Sequence, residues 1–178
     1  MRKWICAALA LMLLGGTALA EPSEEIAAAQ ADAAFDAAEA GYAGAWVPFE
    51  DGFQLYLPSD WVYRPVTEAQ AAAGLFYAAG TGEGVAPAAG VAVSWMRAGS
   101  VAGPVELARE LSALGAENVR PETRNGIPAV AFEKAADGYR GLSFFHPEYA
   151  GYVLTVYVTP VDAAQGDGIL ASLSPFQP

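Results

Sequence analysis

The stretch DGFQLYLPSDW, residues 51–61, alternates apolar and polar side chains until a proline interrupts it. In an extended chain Phe53, Leu55 and Leu57 lie on one face and the intervening side chains on the other, which is the period of a half-buried β-strand. Pro58 has the fixed φ that suits a type I turn. The stretch therefore predicts a strand with one face on a core, followed by a turn that returns the chain to the same body.

Further strands are predicted downstream, separated by tight turns. Asn125-Gly126 stands between two strand-like runs, and this dipeptide is the strongest short sequence signal for a β-hairpin. Residues 147–151 form another turn, before the run YVLTVYVTP (152–160). Both faces of this last run are apolar, which predicts a strand that is covered on both sides.

Helices are predicted around these strands. Thr67 and Gln70 have the spacing of a capping box, which favours a short helix. Three leucines fall on one helical face between Pro104, which suits a first helical turn, and Gly115, which suits a helix end.

A last helix is predicted to carry the segment ILASL (169–173), with Asp162 or Asp167 as its cap. Helices beside a sheet that is apolar on both faces predict an α+β protein. We expect an α/β/α sandwich around a mainly antiparallel sheet.

The first 20 residues have the build of a secretory signal peptide. Arg2 and Lys3 precede a short apolar run, and small residues up to Ala20 form a cleavage site. The run is shorter than the ~20 apolar residues that span a bilayer. We expect cleavage after Ala20, export to the periplasm or the cell exterior, and no stable membrane insertion afterwards.

The exported chain is predicted to consist of a linker and one domain. Residues 21–45 are rich in alanine with scattered acids, which indicates a helical or frayed linker, and residues 46–178 form the domain. The only cysteine, Cys6, lies in the signal peptide. The exported chain thus has no thiol for a disulfide, a zinc-thiolate site or a nucleophile.

The charge balance argues against nucleic acid as a partner. Loss of Arg2 and Lys3 leaves 7 of the 9 basic residues against 20 acidic ones, a formal charge of −13. Such a chain is repelled by phosphate backbones and anionic lipid surfaces. The simplest interpretation is that the charge keeps an exported protein soluble.

The order of these segments resembles the PsbP-like fold family. Its most characteristic pieces here are LPSDW (57–61), NGIPA (125–129) and ILASL (169–173), and the likeness spans about residues 46–176. The family includes a photosystem II extrinsic subunit, a Ran-binding nuclear transport factor and bacterial envelope proteins of the DcrB type. The resemblance implies an α/β/α sandwich and a non-enzymatic role in binding another protein, and export favours the envelope branch. It carries over no binding residue.

Two motifs could suggest phosphate binding or a metal or catalytic site, and both are interpreted as structural. The glycine-rich run AAGTGEG (78–84) is followed by Val-Ala-Pro and no Gly-Lys-Ser/Thr, so a flexible hairpin is favoured over a phosphate-binding loop. His146 is the sole histidine, so it lacks the second ligand that a metal site usually has. If it belonged to an unrecognised catalytic site, Asp60 or Glu148 would be its carboxylate companion.

Three Asp-Gly pairs are interpreted as turns or caps. They lack the Asp-x-Asp-x-Asp-Gly spacing of a calcium loop, so no metal and no cofactor is predicted. The pairs begin at Asp51, Asp137 and Asp167.

Most aromatic side chains are predicted to pack in the core. These are Trp46, Phe53, Trp61, Trp95, Phe132 and Phe144. Trp61 also follows a turn, as does Tyr63, and Tyr149 lies in the loop before the last strand. These three are predicted to contact a partner, because aromatic side chains at one edge of a sandwich can grip a protein or a glycan.

These observations lead to one main hypothesis and two alternatives. The first is an exported, non-catalytic binding or assembly domain of the bacterial cell envelope, whose partner is an envelope protein or another envelope component. The second is a protein that binds a small apolar ligand between sheet and helix. The third is an enzyme whose residues meet only in the folded chain.

Overall fold

A computed structural model describes residues 35–82 and 88–176 of the chain. In chain order its strands are β1 Gly44–Phe49, β2 Phe53–Pro58, β3 Val62–Tyr63, β4 Leu75–Gly80, β5 Gly90–Arg97, β6 Glu117–Arg124, β7 Ile127–Lys134, β8 Tyr139–Phe145, β9 Tyr152–Thr159 and β10 Ser174–Pro175. The α-helices are α1 Glu68–Ala72, α2 Pro104–Ala113 and α3 Gly166–Ala171, and short 3₁₀ turns span Ala37–Glu39 and Ala135–Asp137.

The strands form two antiparallel sheets. The large sheet has the order β3-β4-β5-β9-β8-β7-β6, and the small sheet has the order β1-β2-β10. Every strand pair in both is antiparallel. The predicted α+β class with a mainly antiparallel sheet is confirmed, and the separate small sheet is an addition that the sequence patterns did not predict.

One face of the large sheet is covered by α2. Leu107 and Leu111 are buried against Val130, Phe132 and Val153, as the predicted leucine face requires. The helix follows Gly103, has Pro104 in its first turn, and ends before Gly115 at φ 78°.

The other face is covered jointly by the small sheet and α3. Phe53, Leu55 and Leu57 of β2 form one core with Leu154, Val156 and Val158 of β9, and Ile169 and Leu173 close it. Since Val153 lies in the core under α2, β9 is covered on both sides, as its sequence predicted.

Local signals are confirmed in two places and wrong in one. Thr67 and Gln70 form both hydrogen bonds of the capping box. Asn125 and Gly126 make the β6–β7 turn with φ of 45° and 87°. Neither Asp162 nor Asp167 caps α3: Gln165 precedes the helix without a side-chain hydrogen bond. Asp167 instead pairs with an arginine across the fold, described below.

Structured residues precede residue 46, the predicted start of the domain. β1 begins at Gly44, and from the predicted linker Phe35 already contacts Trp46 on β1 and Tyr42 contacts Tyr56 on β2. The predicted signal peptide, residues 21–34 of the predicted linker and residues 83–87 lie outside the described residues. Within the described part, no helix has the length and apolar character needed to cross a membrane.

Candidate functional site

The three predicted partner-binding residues differ in exposure. Tyr63 on β3 is 59% exposed and Tyr149 is 60% exposed. Trp61 is partly buried against the core of the small sheet, and its Nε1 has no hydrogen-bond partner among the described residues.

Tyr63 and Tyr149 lie at opposite ends of the large sheet. Tyr63 pairs with Ala79 on β4, and Ala79 pairs with Val91 on β5. Tyr149 precedes Tyr152, which is paired with Arg97 at the far end of β5. Six residues at ~3.3 Å each separate these levels by about 20 Å. The predicted trio therefore does not form one compact surface.

His146 is buried and both of its ring nitrogens are occupied. Nε2 lies 3.1 Å from Asp51 Oδ1, and the backbone N–H groups of Glu148 and Tyr149 each donate to Nδ1 at 3.1 Å. Because Nδ1 accepts two hydrogen bonds, the proton is on Nε2, which donates to the Asp51 carboxylate. The ring of Tyr149 packs 4.6 Å away, centroid to centroid.

This arrangement gives His146 a structural task. Its Nδ1 lone pair already accepts from two backbone N–H groups, so it is not free to take a proton from a substrate. It ties the loop after β8 to the β1–β2 turn. The carboxylate is Asp51, not Asp60 or Glu148, of which Glu148 contributes only its backbone N–H. Sequence reasoning missed Asp51 because 95 positions separate it from His146.

A recess lies between α2 and the large sheet. Leu107, Leu111 and Leu114 form its helix wall, and Arg97 and Lys134 stand among its polar lining. The recess holds about 40 Å³, which suits about three water molecules at ~10–15 Å³ each. Small-molecule sites are far larger, about 300–1,000 Å³.

Two pairs of hydroxyl groups lie on the sheet at or beside this recess. Ser143 Oγ and Thr155 Oγ1 are 2.8 Å apart, and Ser94 Oγ donates to the Tyr157 hydroxyl at 2.9 Å. Burial raises the pKa of Tyr139, and Tyr157 and Asp137 add to the shift. These groups therefore stabilise a polar layer inside the fold, and the space beside them does not favour the small-ligand hypothesis.

Four rings form a cluster on the outer face of the small sheet, called here the aromatic cluster: Phe35, Tyr42, Trp46 and Tyr56. The centroids of Phe35, Trp46 and Tyr56 are 5.5–5.7 Å from one another, and Tyr42 stacks on Tyr56 at 5.6 Å. Trp46 is 40% exposed. The prediction that Trp46 packs in the core is wrong, because Val47 and Phe49 take the inner positions opposite Leu55 and Phe53. Trp95, also predicted in the core, is 44% exposed at the end of the large sheet.

Hydrogen bonds hold two of the four rings of the aromatic cluster, Tyr42 and Tyr56. The Tyr42 hydroxyl donates to the Tyr56 carbonyl at 2.8 Å, and the backbone N–H of Gly44 donates to the Tyr56 hydroxyl at 3.0 Å. A Cβ on Gly44 would lie 2.7 Å from the Tyr56 ring, so glycine permits this approach. Burial raises the pKa of Tyr42, and Tyr56 adds to the shift.

Asn125 connects the aromatic cluster to the rest of the domain. Its Oδ1 accepts from the Phe35 N–H at 3.0 Å, and its Nδ2 donates to the carbonyls of Ala171 and Leu173 at 2.9 and 2.8 Å. One side chain in the β6–β7 turn therefore holds the segment before β1 and the segment after α3 together.

The remaining chemical motifs have structural roles where they are described. Thr81 and Ala89 hydrogen-bond across the base of the β4–β5 loop, as expected of a hairpin. Arg64 donates to the carbonyls of Thr81 and Gly82 from the side. Within residues 35–82 and 88–176, no three His, Cys, Asp or Glu side chains are grouped to hold a metal ion.

Comparisons with known proteins add no family to this description. No protein-family model matches the chain, and no curated protein matches it in sequence.

Proposed function

We propose that the chain is an exported, non-catalytic binding domain of the bacterial cell envelope, and that the aromatic cluster is its contact surface. The observation that carries the proposal is the setting of Trp46. Its ring is 40% exposed, yet two neighbouring rings hold it at centroid distances of 5.5 and 5.7 Å. A rigid, exposed tryptophan loses little conformational entropy on binding, and tryptophan is enriched among residues that dominate binding energy.

Three of the four sheet edges favour binding through side chains over strand addition. Pro48 lies in the edge strand β1, Pro121 in the edge strand β6 and Pro175 in β10. Proline lacks the N–H that an added strand would need, and it is a common device against edge pairing. A partner is therefore expected to bury the aromatic cluster and not to extend a sheet.

The proposed fold family is the PsbP-like family, in its branch of bacterial envelope proteins. The order of a strand at 53–58, a leucine helix, an Asn-Gly hairpin, two long strands and a final short helix supports it. So does a seven-stranded antiparallel sheet covered by α2 on one face and by α3 with the small sheet on the other. Because a fold does not determine a function, the proposed function depends on the aromatic cluster and not on the fold family.

Co-purification with a matched pair of variants tests the proposal. The mature chain, its Trp46→Ala variant and its Trp95→Ala variant are each used to capture partners from envelope extract. Trp95 is the control because it is the same residue type, 44% exposed, on the other sheet. We expect a saturable partner that wild type and Trp95→Ala retain and Trp46→Ala loses. Capture that is equal for all three would refute the proposed surface.

Native mass spectrometry of the same preparation separates the alternative functions. The binding-domain proposal expects the mass of the polypeptide alone, without its partner. Retained mass of a small molecule would favour the ligand-binding alternative.

A further inference from the structure

Resting on the proposed function, we propose that the partner presents a cationic segment, with a Lys or Arg side chain on the face of Trp46 and further cations beside Asp36 and Glu39. Two observations support such a partner: the position of carboxylates around the aromatic cluster and the charge of the chain that forms it.

The segment that frames the aromatic cluster carries two exposed carboxylates. Phe35 and Tyr42 contact Tyr56 at 5.7 and 5.6 Å, so the chain between them arches beside the cluster. Asp36 and Glu39 lie on this arch, and the side chain of Asp36 caps its 3₁₀ turn by accepting from the Ala38 N–H at 2.8 Å. Both carboxylates are exposed. They therefore stand beside the rings in a fixed turn.

The chain that forms β1, β2 and the aromatic cluster carries an excess of acids. Residues 35–63 contain five acidic residues and no Lys or Arg. Of the nearby arginines, Arg64 donates to the carbonyls of Thr81 and Gly82, Arg124 contacts Glu122 at 2.6 Å and Arg140 contacts Asp167 at 2.8 Å. The surface therefore combines an aromatic face with an excess of negative charge.

Aromatic faces and carboxylates attract the same kind of group. The face of a tryptophan ring attracts Lys and Arg cations, and it is the strongest of the aromatic rings in this respect. Carboxylates at the rim steer a cationic partner and repel an anionic one. An anionic lipid or nucleic acid is disfavoured, and so is a second copy of this chain, which would bring two acidic surfaces together.

Titration calorimetry with synthetic peptides tests the inference on the mature chain. The probe is a peptide that alternates lysine and leucine, and the comparison peptide has glutamate in place of lysine. We expect the lysine peptide to bind, the glutamate peptide not to bind, and the affinity to fall as salt rises from about 10 to 150 mM. Trp46→Ala should weaken binding about 2- to 30-fold and Trp95→Ala should leave it unchanged.

Two double variants with the same change in net charge separate the effect of the carboxylates beside the aromatic cluster from the effect of the overall charge of the protein. Asp36→Asn with Glu39→Gln keeps an oxygen that can cap the turn and should weaken binding by about threefold or more. Glu106→Gln with Glu117→Gln makes the same change in net charge on α2 and β6 and should have no effect. Equal weakening by both pairs, or no binding of the lysine peptide, would overturn the inference.

The two proposals fail in different ways. An envelope partner that needs Trp46 but tolerates Asp36→Asn with Glu39→Gln would refute the cationic partner and leave the contact surface intact. Sedimentation that shows a dimer dependent on Trp46, or an intramolecular cross-link from position 46 to residues 21–34, would assign the surface to a second copy or to the chain itself and refute both.

Discussion

Replacement of Asn125 by glycine tests how the aromatic cluster is held on the domain. Asn125 adopts φ 45° and its side chain makes three hydrogen bonds, to Phe35, Ala171 and Leu173. Glycine populates the left-handed region freely, so Asn125→Gly keeps the turn and removes only the side chain. The change in stability therefore reports the hydrogen bonds.

The expected loss follows from the count of bonds. Each hydrogen bond contributes a net ~0.5–1.5 kcal/mol, so loss of the three at Asn125 should lower the free energy of unfolding by about 2–4 kcal/mol. For a domain of this size each kcal/mol lowers Tm by about 2–4 °C, so a fall of about 5–15 °C is expected. Asn125→Asp should cost more at neutral pH, because a carboxylate would face the carbonyls of Ala171 and Leu173 in place of two N–H donors.

Asn118 supplies a matched control. It also has a left-handed backbone, φ 51°, but its side chain makes a single exposed hydrogen bond, to Glu133 at 2.7 Å. Asn118→Gly should change the free energy of unfolding by less than about 1 kcal/mol. Urea denaturation followed by circular dichroism measures both variants. If Asn125→Gly and Asn118→Gly lose the same stability, the Asn125 side chain does not hold the two segments together.

Three further predictions concern His146, stability at alkaline pH and the close strand contact at Gly141. His146→Ala should lower the free energy of unfolding by about 1–3 kcal/mol in urea denaturation, since two backbone N–H donors lose their acceptor. Asp51→Asn keeps an oxygen that accepts from Nε2–H, so it should cost less than about 1 kcal/mol. Equal losses would contradict the assignment of the His146 proton to Nε2. Burial raises the pKa of Tyr139, so Tyr139 should add no pH dependence to stability below about pH 9 and should lower stability above about pH 10, where the unfolded phenol ionises and the folded one does not. Tyr139→Phe should therefore make the alkaline fall in stability shallower in denaturation at graded pH, and an unchanged slope would count against this role of Tyr139. A methyl group on Gly141 would meet the Val156 carbonyl, so Gly141→Ala should lower Tm by several degrees, and a Tm equal to wild type would show that the strands can move apart.

The fold was predictable where a signal is local. The Asn125-Gly126 turn, the capping box at Thr67 and the leucine face of α2 each depend on residues a few positions apart, and the structure contains all three. The second sheet was not predictable in the same way, because β10 pairs with β2 from the other end of the chain. The short α3 also lacks the side-chain cap that its sequence suggested.

The candidate site was predictable only in part. The alternation that places Val47 and Phe49 inside also places Trp46 outside, so its exposure could have been predicted from its neighbours. It was predicted to be buried because tryptophan is a large apolar residue. The hydrogen bonds of Asn125 and the contact of His146 with Asp51 have no local sequence signal, since their partners lie 46–95 positions away. Such contacts depend on how the strands are ordered in the sheets.

Site-specific photo-crosslinking in cells shows whether the aromatic cluster lies at the contact with an envelope protein. A photo-reactive amino acid is introduced at Ala38, an exposed position in the turn beside the cluster that leaves Trp46 in place, and in a second variant at Trp95 on the other sheet. We expect a discrete adduct with a second envelope protein from position 38 and none from position 95. Adducts from position 95 with none from position 38 would show that the partner binds elsewhere on the domain.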